Sequence, residues 1–277
     1  MLIRPAVRAQ PAPAPHAQTG HPDARPWPAP AAARDTDGFG ADVLSKLGHE
    51  LRSPLAAIIG LTRVMAMRIN TARADSATQV RQLSMIEASA ARSLSTIERV
   101  VHLARMESGR VRPALQLADC RDVITSVAAT LQTAAAGRGR RLSTDVPGDP
   151  VMLFSDPDIL GQLLSELASN ALCYTDGGEV RIRLHAGEEP VIIDVCDDGP
   201  GIPGPEQARI FEPFERGDLA SDDGAPGLGL HVARKQAELL RARLSLVSHV
   251  GSGSTFSVTF TDSRAQPAPG TGQDPGT

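Results

Sequence analysis

The stretch Ser45-Lys-Leu-Gly-His-Glu-Leu-Arg-Ser-Pro-Leu55 decides the fold of the first half of the chain, because it lies within a helical pattern of apolar residues. These residues recur at steps of three and four positions, which is the spacing of one buried helix face. They are Leu44, Leu47, Leu51, Ile58, Leu61 and Met65. His49 stands two positions from Leu47 and Leu51, about 200° around the helix, so the pattern predicts that its imidazole faces water. An exposed neutral imidazole can act as a nucleophile near pH 7, although a single histidine is more often an ordinary surface residue.

A second helical pattern follows a short polar connection at residues 71–76. Its apolar residues continue at heptad-like steps and predict a helix that ends near Ser108-Gly109, where glycine is a common helix stop. They are Val80, Leu83, Ile86, Ala90, Leu94, Ile97, Val101 and Ala104. Two helices packed against each other bury only one face of each helix. We therefore expect a helical hairpin that pairs with a second copy through residues 40–110, as a dimeric four-helix bundle.

The two ends and the bulk composition limit the class of protein. Residues 1–38 and 263–277 are rich in Pro and poor in branched apolar residues, so both are predicted to be disordered tails. A net charge of −4 argues against a nucleic-acid-binding surface, and no run approaches the roughly 18 apolar residues that span a bilayer. The three cysteines form neither a disulfide framework nor a metal-binding spacing, which indicates a reducing cytoplasm.

Residues 113–262 have a mixed pattern in which helices and strands fall into separate groups. Helices are predicted over 122–136, 158–173 and 228–240. Strands are predicted over 180–184, 191–196, 244–247 and 255–260. This order predicts an α+β two-layer sandwich, in which one helical layer covers one mixed sheet.

Three glycine clusters stand at strand and helix ends of the predicted sandwich: Asp197-Asp-Gly-Pro-Gly-Ile202, Gly224-Ala-Pro-Gly-Leu-Gly-Leu230 and Gly251-Ser-Gly-Ser-Thr255. Gly227 and Gly229 open a predicted helix, where backbone N–H groups and the helix field favour a phosphate. Asp197 ends an apolar strand and could accept a hydrogen bond from an amine. Each cluster alone is weak evidence, since loops are rich in glycine for steric reasons.

Two further motifs carry polar and aromatic groups. Glu166 and Asn170 are four positions apart and share one helix face, where the Asn170 oxygen could bind Mg²⁺. The alternative for this pair alone is a solvated polar stripe. Ile210-Phe-Glu-Pro-Phe-Glu-Arg216 is the only aromatic cluster in an aromatic-poor chain, and it suits a flap that docks on a partner surface.

Together these motifs resemble those of the two-component sensor histidine kinases, over about residues 40–262. Ser45–Leu55 resembles the H box and Glu166–Thr175 the N box. Asp197–Ile202 resembles the G1 box, Phe211–Phe214 the F box and Gly227–Leu230 the G2 box. The resemblance implies a HisKA-like dimerisation and phosphoacceptor domain over 39–112. It implies a GHKL-type ATP-binding domain over 113–262.

The resemblance also implies roles for individual residues. His49 would be the phosphoacceptor, and Glu50 would hydrogen-bond its imidazole or take its proton. Asn170 would hold Mg²⁺ on the triphosphate of ATP, and Asp197 would recognise the adenine amino group. The other ATP-binding residues that it implies are Glu166, Tyr174, Gly199, Gly201, Ile202, Phe211, Phe214, Arg216, Gly227, Leu228, Gly229, Leu230 and Thr255.

Four positions depart from the family pattern, and one of them is Glu166, which stands where Asn is common. Cys173 stands where a basic residue is common after the N-box asparagine, and Arg216 is a candidate for the missing charge. Ala225 replaces the first glycine of the G2 pattern, although Gly224 stands beside it. Ser53 stands at the position where Thr or Asn commonly supports removal of phosphate from the partner regulator.

The resemblance leads to a histidine autokinase that passes phosphate to an aspartate on a response-regulator receiver domain. The alternatives are a phosphotransfer or scaffold module with a weakened nucleotide site, and a GHKL ATPase that uses Glu166, which stands where Asn is common, as a base. The exposed residues Ala56, Ala57 and Arg63 are expected to contribute to the choice of regulator. A tail of under forty residues cannot form a ligand pocket, so the signal is expected from a separate sensor protein, unless the chain is truncated at its start.

Overall fold

The computed structural model describes residues 36–70, 76–175, 178–185, 190–215 and 227–261. The predicted helix connection, up to Asp75, lies outside the described residues. Arg216, Gly224 and Ala225 also lie outside them. Both predicted tails also lie outside them, except that the first helix already begins at Thr36.

The first half of the chain is a hairpin of two long helices, α1 (Thr36–Asn70) and α2 (Ser76–Glu107). The predicted face of α1 is half-buried from Leu47 to Met65, as its spacing requires. The predicted apolar face of α2 is instead exposed in the single chain, at Val80, Leu83, Leu94, Ile97 and Val101. The α2 residues that are buried within the chain are Ser89, Ser93, Thr96, Leu103 and Met106. The apolar stripe of α2 therefore stays available for a second chain.

The end of α2 follows the predicted glycine stop. Gly109 has a φ of +64°, and its N–H donates to the Met106 carbonyl at 3.0 Å. Positive φ is costly for residues with a side chain, so glycine at this position favours the end of the helix.

The second half is the predicted two-layer sandwich. Its helices are α3 (Cys120–Gly137), α4 (Pro157–Tyr174) and α5 (Gly229–Leu239). Its strands are β1 (Gln116–Asp119), β2 (Arg141–Asp145), β3 (Met152–Ser155), β4 (Glu179–His185), β5 (Val191–Asp197), β6 (Arg243–His249) and β7 (Gly253–Phe260). A 3₁₀ turn spans Arg209–Phe211.

The main sheet has the order β2-β4-β5-β7-β6, with β2 parallel to β4 and the other pairs antiparallel. The predicted mixed sheet is therefore confirmed. β1 and β3 form a separate antiparallel pair. These two strands and β2 have four or five residues each, too short for the apolar alternation that identified the longer strands.

The sandwich core lies between the helical layer and the sheet. Leu163, Leu164 and Leu167 of α4 are fully buried in one cluster with Ile182 and Ile193 of the sheet. The strands alternate buried and half-buried residues, which is the period of a strand with one covered face. This packing fixes α4 and the end of β5, on which the candidate site residues stand.

Asp156 connects the hairpin to the sandwich. Its Oδ1 accepts hydrogen bonds from the Asp158 and Ile159 N–H groups and so caps α4, while its Oδ2 accepts one from the Ala114 N–H at 2.7 Å. Capping by a carboxylate satisfies orphan donors at a helix start. The segment after α2 is therefore attached to the first turn of α4.

A second apolar cluster joins the two halves directly. It consists of Leu103 and Met106 from α2 with Leu228 and Val232 from the start of α5. None of the helices in the described ranges is both long and apolar enough to cross a membrane.

Candidate functional site

A cleft opens between α4, the end of β5 and the start of α5, with an empty volume of about 1060 Å³ including its open mouth. Nine residues predicted from the sequence line it: Glu166, Asn170, Tyr174, Asp197, Gly201, Ile202, Gly227, Gly229 and Leu230. They come from three separate motifs, which the fold brings together at one end of the sheet.

One end of the cleft contains a half-buried carboxylate. Asp197 is the last residue of β5, and its Oδ1 accepts a hydrogen bond from the Gly199 N–H at 2.9 Å. Burial raises the pKa of Asp197, while hydrogen bonds from the Gly199 and Ser254 N–H groups oppose that shift. Ile202, Ile210 and Phe256 line the cleft beside it. An oriented acceptor among apolar side chains suits a flat ring that carries an amino group.

The loop after Asp197 is held against the turn between β6 and β7. The Ile202 N–H donates to Ser248 Oγ at 2.8 Å, and Gln207 Nε2 donates to the carbonyls of Ile202 and Ser248 at 2.9 and 3.0 Å. Gly201 has a φ of +72° and lies against the His249 backbone, so a side chain does not fit there. These contacts hold this wall of the cleft in place.

The α4 side of the cleft presents Glu166, Asn170 and Tyr174 at steps of four residues. Glu166 Oε2 lies 3.1 Å from Nη1 of Arg99, a residue of α2. Burial raises the pKa of Glu166, and the nearby Arg99 charge opposes that shift. Carboxylate and amide oxygens on one helix face can bind a hard cation such as Mg²⁺.

The segment after the 3₁₀ turn closes the other side of the cleft. Phe211 is buried edge-on against Phe256, with ring centroids 6.2 Å apart. Phe214 has a φ of +62°, packs against the second apolar cluster, and donates its N–H to the Gly227 carbonyl at 3.0 Å. Both phenylalanines therefore anchor this segment rather than line the cleft. Gly227 has a φ of +66°, and a Cβ on it would lie 2.7 Å from the Glu215 carbonyl oxygen, so this close approach requires glycine.

Three further predicted residues do not line the cleft. Thr255 hydrogen-bonds Cys196, whereas its neighbour Ser254, opposite Asp197 in the sheet, lines the cleft, because successive side chains of a strand point to opposite faces. Leu228 is fully buried in the cluster with Leu103 and Met106. Gly199 is next to Asp197 and does not line the cleft, although its N–H fixes the carboxylate.

The remaining predicted residues are on α1 or outside the described part of the chain. His49 and Glu50 lie on α1, and their side chains are outside the described part. Ser53 is exposed on the same helix. Arg216 is outside the described residues, and Cys173 lines the cleft.

Sequence reasoning missed several residues that line the cleft, among them Arg99 and Ser254. The alternation of β7 could have identified Ser254 from the position of Phe256 in the core. Arg99 has no signal in the sequence, because it reaches the cleft only through the packing of α2 on the sandwich.

The fold and the cleft define a nucleotide-binding sandwich attached to a helical hairpin, and comparison with known proteins names both parts. Residues 155–264 match the family described as histidine kinase-, DNA gyrase B- and HSP90-like ATPase. Residues 41–109 match the His Kinase A (phospho-acceptor) domain.

Individual proteins agree with these matches. The sensory/regulatory protein RpfC of Xanthomonas campestris pv. campestris is 34% identical over 233 residues, which are 81% of this chain and 31% of RpfC. The chain thus spans about a third of the length of that relative. The chain belongs to the two-component sensor histidine kinase family.

Solved structures share the fold at lower identity. The histidine kinase AdeS of Acinetobacter baumannii has a TM-score of 0.59 and 22% identity, over 77% of this chain and 97% of AdeS. The histidine kinase ThkA, in a complex with the response regulator protein TrrA, has a TM-score of 0.64 and 17% identity, over 82% of this chain and 63% of that one.

Proposed function

We propose that this chain is an ATP-dependent protein-histidine autokinase that phosphorylates His49 and passes the phosphoryl group to an aspartate of a response-regulator receiver domain. One observation carries the proposal: the cleft joins the half-buried Asp197 carboxylate to the Glu166–Asn170 face and the glycine start of α5. His49-Glu50 of the H box stands on α1 of the same chain. The proposed ATP site and the proposed phosphoacceptor thus belong to one chain.

The Asp197 end of the cleft would bind the adenine ring. Its carboxylate would accept a hydrogen bond from the exocyclic amine, while Ile202, Ile210 and Phe256 would cover the ring faces. The hydrogen bonds from Gly199 and Ser254 orient the carboxylate before ATP arrives. Such preorganisation lowers the ordering cost of binding.

The opposite end would bind the triphosphate. The backbone N–H groups at the start of α5 suit phosphate oxygens, because a helix N-terminus favours negative charge. Mg²⁺ fits there, since Asn170 supplies an oxygen ligand and Mg²⁺ sites normally complete their shell with phosphate oxygens and waters. When bound, the ion neutralises charge on the triphosphate.

The proposed reaction forms one bond and breaks one. A neutral nitrogen of the His49 imidazole attacks the γ-phosphorus, the bond from phosphorus to the β–γ bridging oxygen breaks, and ADP leaves with that electron pair. The proton on the other imidazole nitrogen passes to, or is shared with, Glu50. Catalysis in such transfers is chiefly positioning and charge stabilisation.

The proposed assembly is a homodimer through residues 40–110. The exposed apolar stripe of α2 supports it, because a contiguous apolar face on a helix is covered when two hairpins form a four-helix bundle. A receiver domain is the proposed partner, and the ThkA complex with TrrA supports this choice. Ala56, Ala57 and Arg63 are exposed on α1 and remain the candidate regulator contacts. The three unpaired cysteines support a cytoplasmic location.

The direct test is incubation of the purified chain with ATP labelled at the γ-phosphate and Mg²⁺. We expect acid-labile, alkali-stable phosphate on the wild type and none on His49→Ala. No label, or equal label on both proteins, would refute the autokinase. Steady ATP hydrolysis by His49→Ala without phosphoprotein would instead favour an ATPase that uses Glu166.

A further inference from the structure

Arg99 brings a cation from the helical hairpin into the cleft of the ATP-binding domain. Its Nη1 lies 3.1 Å from Glu166 Oε2. A Cβ on Gly229, the first residue of α5, would lie 3.0 Å from that Glu166 oxygen and 3.3 Å from the same Arg99 nitrogen. The ion pair therefore sits at the helix start that is the proposed triphosphate end.

The charge balance of the cleft makes this cation important. Among the described residues that line the cleft, Arg99 is the single Lys or Arg, whereas the carboxylates are Glu166, Asp197, Glu206 and Glu215. Cys173, also in the lining, stands where the family pattern has a basic residue. A triphosphate that enters this cleft meets an acidic surface in which Arg99 is the group able to pair with it.

We propose that Arg99 is a phosphate-binding residue of the ATP site, supplied by the hairpin, and that it exchanges Glu166 for the triphosphate when ATP binds. This inference rests on the proposed function, because it takes the ligand of the cleft to be ATP. A guanidinium can pair with phosphate through two parallel hydrogen bonds, so it gains a stronger partner in the exchange. Glu166, no longer paired with Arg99, would then be available as an oxygen ligand for Mg²⁺.

The position of Arg99 depends on the packing of α2. Leu103 is four residues further along, on the same helix face, and is buried against Leu228 and Val232. The Arg99 and Glu166 side chains are 30% and 18% exposed, so a ligand in the cleft can reach both. The apolar cluster thus positions the guanidinium, and the triphosphate end is complete only when the hairpin is docked.

A different role predicts the opposite result. If Arg99 serves only to hold the ATP-binding domain against the hairpin through Glu166, its removal would make the cleft more accessible to ATP. ATP affinity would then rise or stay unchanged.

Calorimetry on the full chain separates these roles, with Mg²⁺-ATP and adenosine as the two probes. We expect Arg99→Ala to weaken ATP binding about tenfold or more and to leave adenosine binding unchanged, with Arg99→Lys between wild type and Arg99→Ala. Arg105→Ala, an exposed arginine of the same helix, is the control and should match wild type. Leu103→Ala should also weaken ATP binding selectively, because it releases the helix that positions Arg99.

Unchanged or tighter ATP binding by Arg99→Ala would overturn the proposal. Parallel loss of adenosine binding would also overturn it, since it assigns Arg99 a purely structural role. If the wild type binds adenosine and ATP but never phosphorylates His49, the autokinase fails while the Arg99 result still stands. A wild type that binds neither probe would refute both proposals.

Discussion

Lys46 Nζ lies 3.3 Å from Glu215 Oε1 and 3.5 Å from the Pro213 carbonyl oxygen, so α1 contacts the segment that follows the Phe211 turn. Lys46 precedes His49 by three residues, about one helical turn. The helix that carries His49 and one wall of the cleft therefore touch within one chain. The two side chains are 47% and 27% exposed, so the pair orients the two parts more than it stabilises them.

Charge reversal tests this contact. Lys46→Glu should slow His49 phosphorylation up to about fivefold, because exposed ion pairs contribute roughly 0–1 kcal/mol. The double variant Lys46→Glu with Glu215→Lys should recover most of the rate, measured as initial phosphoprotein formation. A double variant slower than both single variants would show that the two residues act independently.

Replacement of Asp197 by Asn should weaken adenosine and ATP binding alike. The change removes a carboxylate acceptor, and hydrogen bonds to charged groups contribute about 1.5–3 kcal/mol, so the loss should be at least about tenfold. The matched control is Asp198→Asn, because Asp198 is exposed and binds the Glu179 N–H rather than the cleft. Calorimetry measures both. If Asp197→Asn and wild type bound adenosine and ATP with equal affinity, Asp197 would not be a ligand-binding residue.

Replacement of Gly227 by Ala should reduce ATP affinity by distorting the start of α5. Ala at a φ of +66° is strained, and its Cβ would meet the Glu215 carbonyl oxygen. The cost of such a backbone conformation is about 1–2 kcal/mol. Gly204→Ala, where nothing lies within 4 Å of the added carbon, is the control. We expect a measurable loss of ATP affinity in Gly227→Ala alone. A similar loss of ATP affinity in both variants would point to general destabilisation.

The buried His231 makes the sandwich sensitive to acid. Burial lowers the pKa of His231 to about 4, whereas the unfolded chain has a value near 6.5. Between these values the unfolded state binds more protons, so the free energy of unfolding should fall as pH falls from 6.5 to 4, by on the order of 3 kcal/mol. Above pH 6.5 this histidine contributes no pH dependence.

Circular dichroism during denaturant unfolding measures that slope. His231→Gln should flatten it, since glutamine can still donate to the Phe211 carbonyl but does not titrate. His249→Gln, at an exposed position, should leave the slope as in wild type. An unchanged slope in His231→Gln would assign the acid sensitivity to other groups.

Much of the fold could be predicted from the sequence, because the spacing of apolar residues identifies long helices and strands. The helices on either side of the hairpin connection, α3 to α5 and the four longer strands were all predicted with small errors at their ends. The short strand β2 has the sequence Arg-Leu-Ser-Thr-Asp, in which four of five residues are polar, since it lies at the sheet edge and buries only Leu142. Such a strand is defined by its partner β4, not by its own pattern.

The predicted site was less complete for a similar reason. Asp197, Asn170 and the glycines were found because motifs place them at element ends. Thr255 was chosen over Ser254 because the register of β7 against β5 is not visible in the glycine-rich motif itself. Arg99 was missed because no local pattern encodes the distance between α2 and α4.

Asp156 couples two segments of the chain as well as capping a helix. One carboxylate oxygen holds the first turn of α4, and the other holds the Ala114 N–H in the segment after α2. A movement of the segment after α2 is therefore expected to move the first turn of α4, the helix that presents Glu166 and Asn170. Together with the Leu103–Leu228 cluster and the Lys46–Glu215 pair, this contact couples the two halves of the chain, so a movement of the hairpin is expected to reach the cleft.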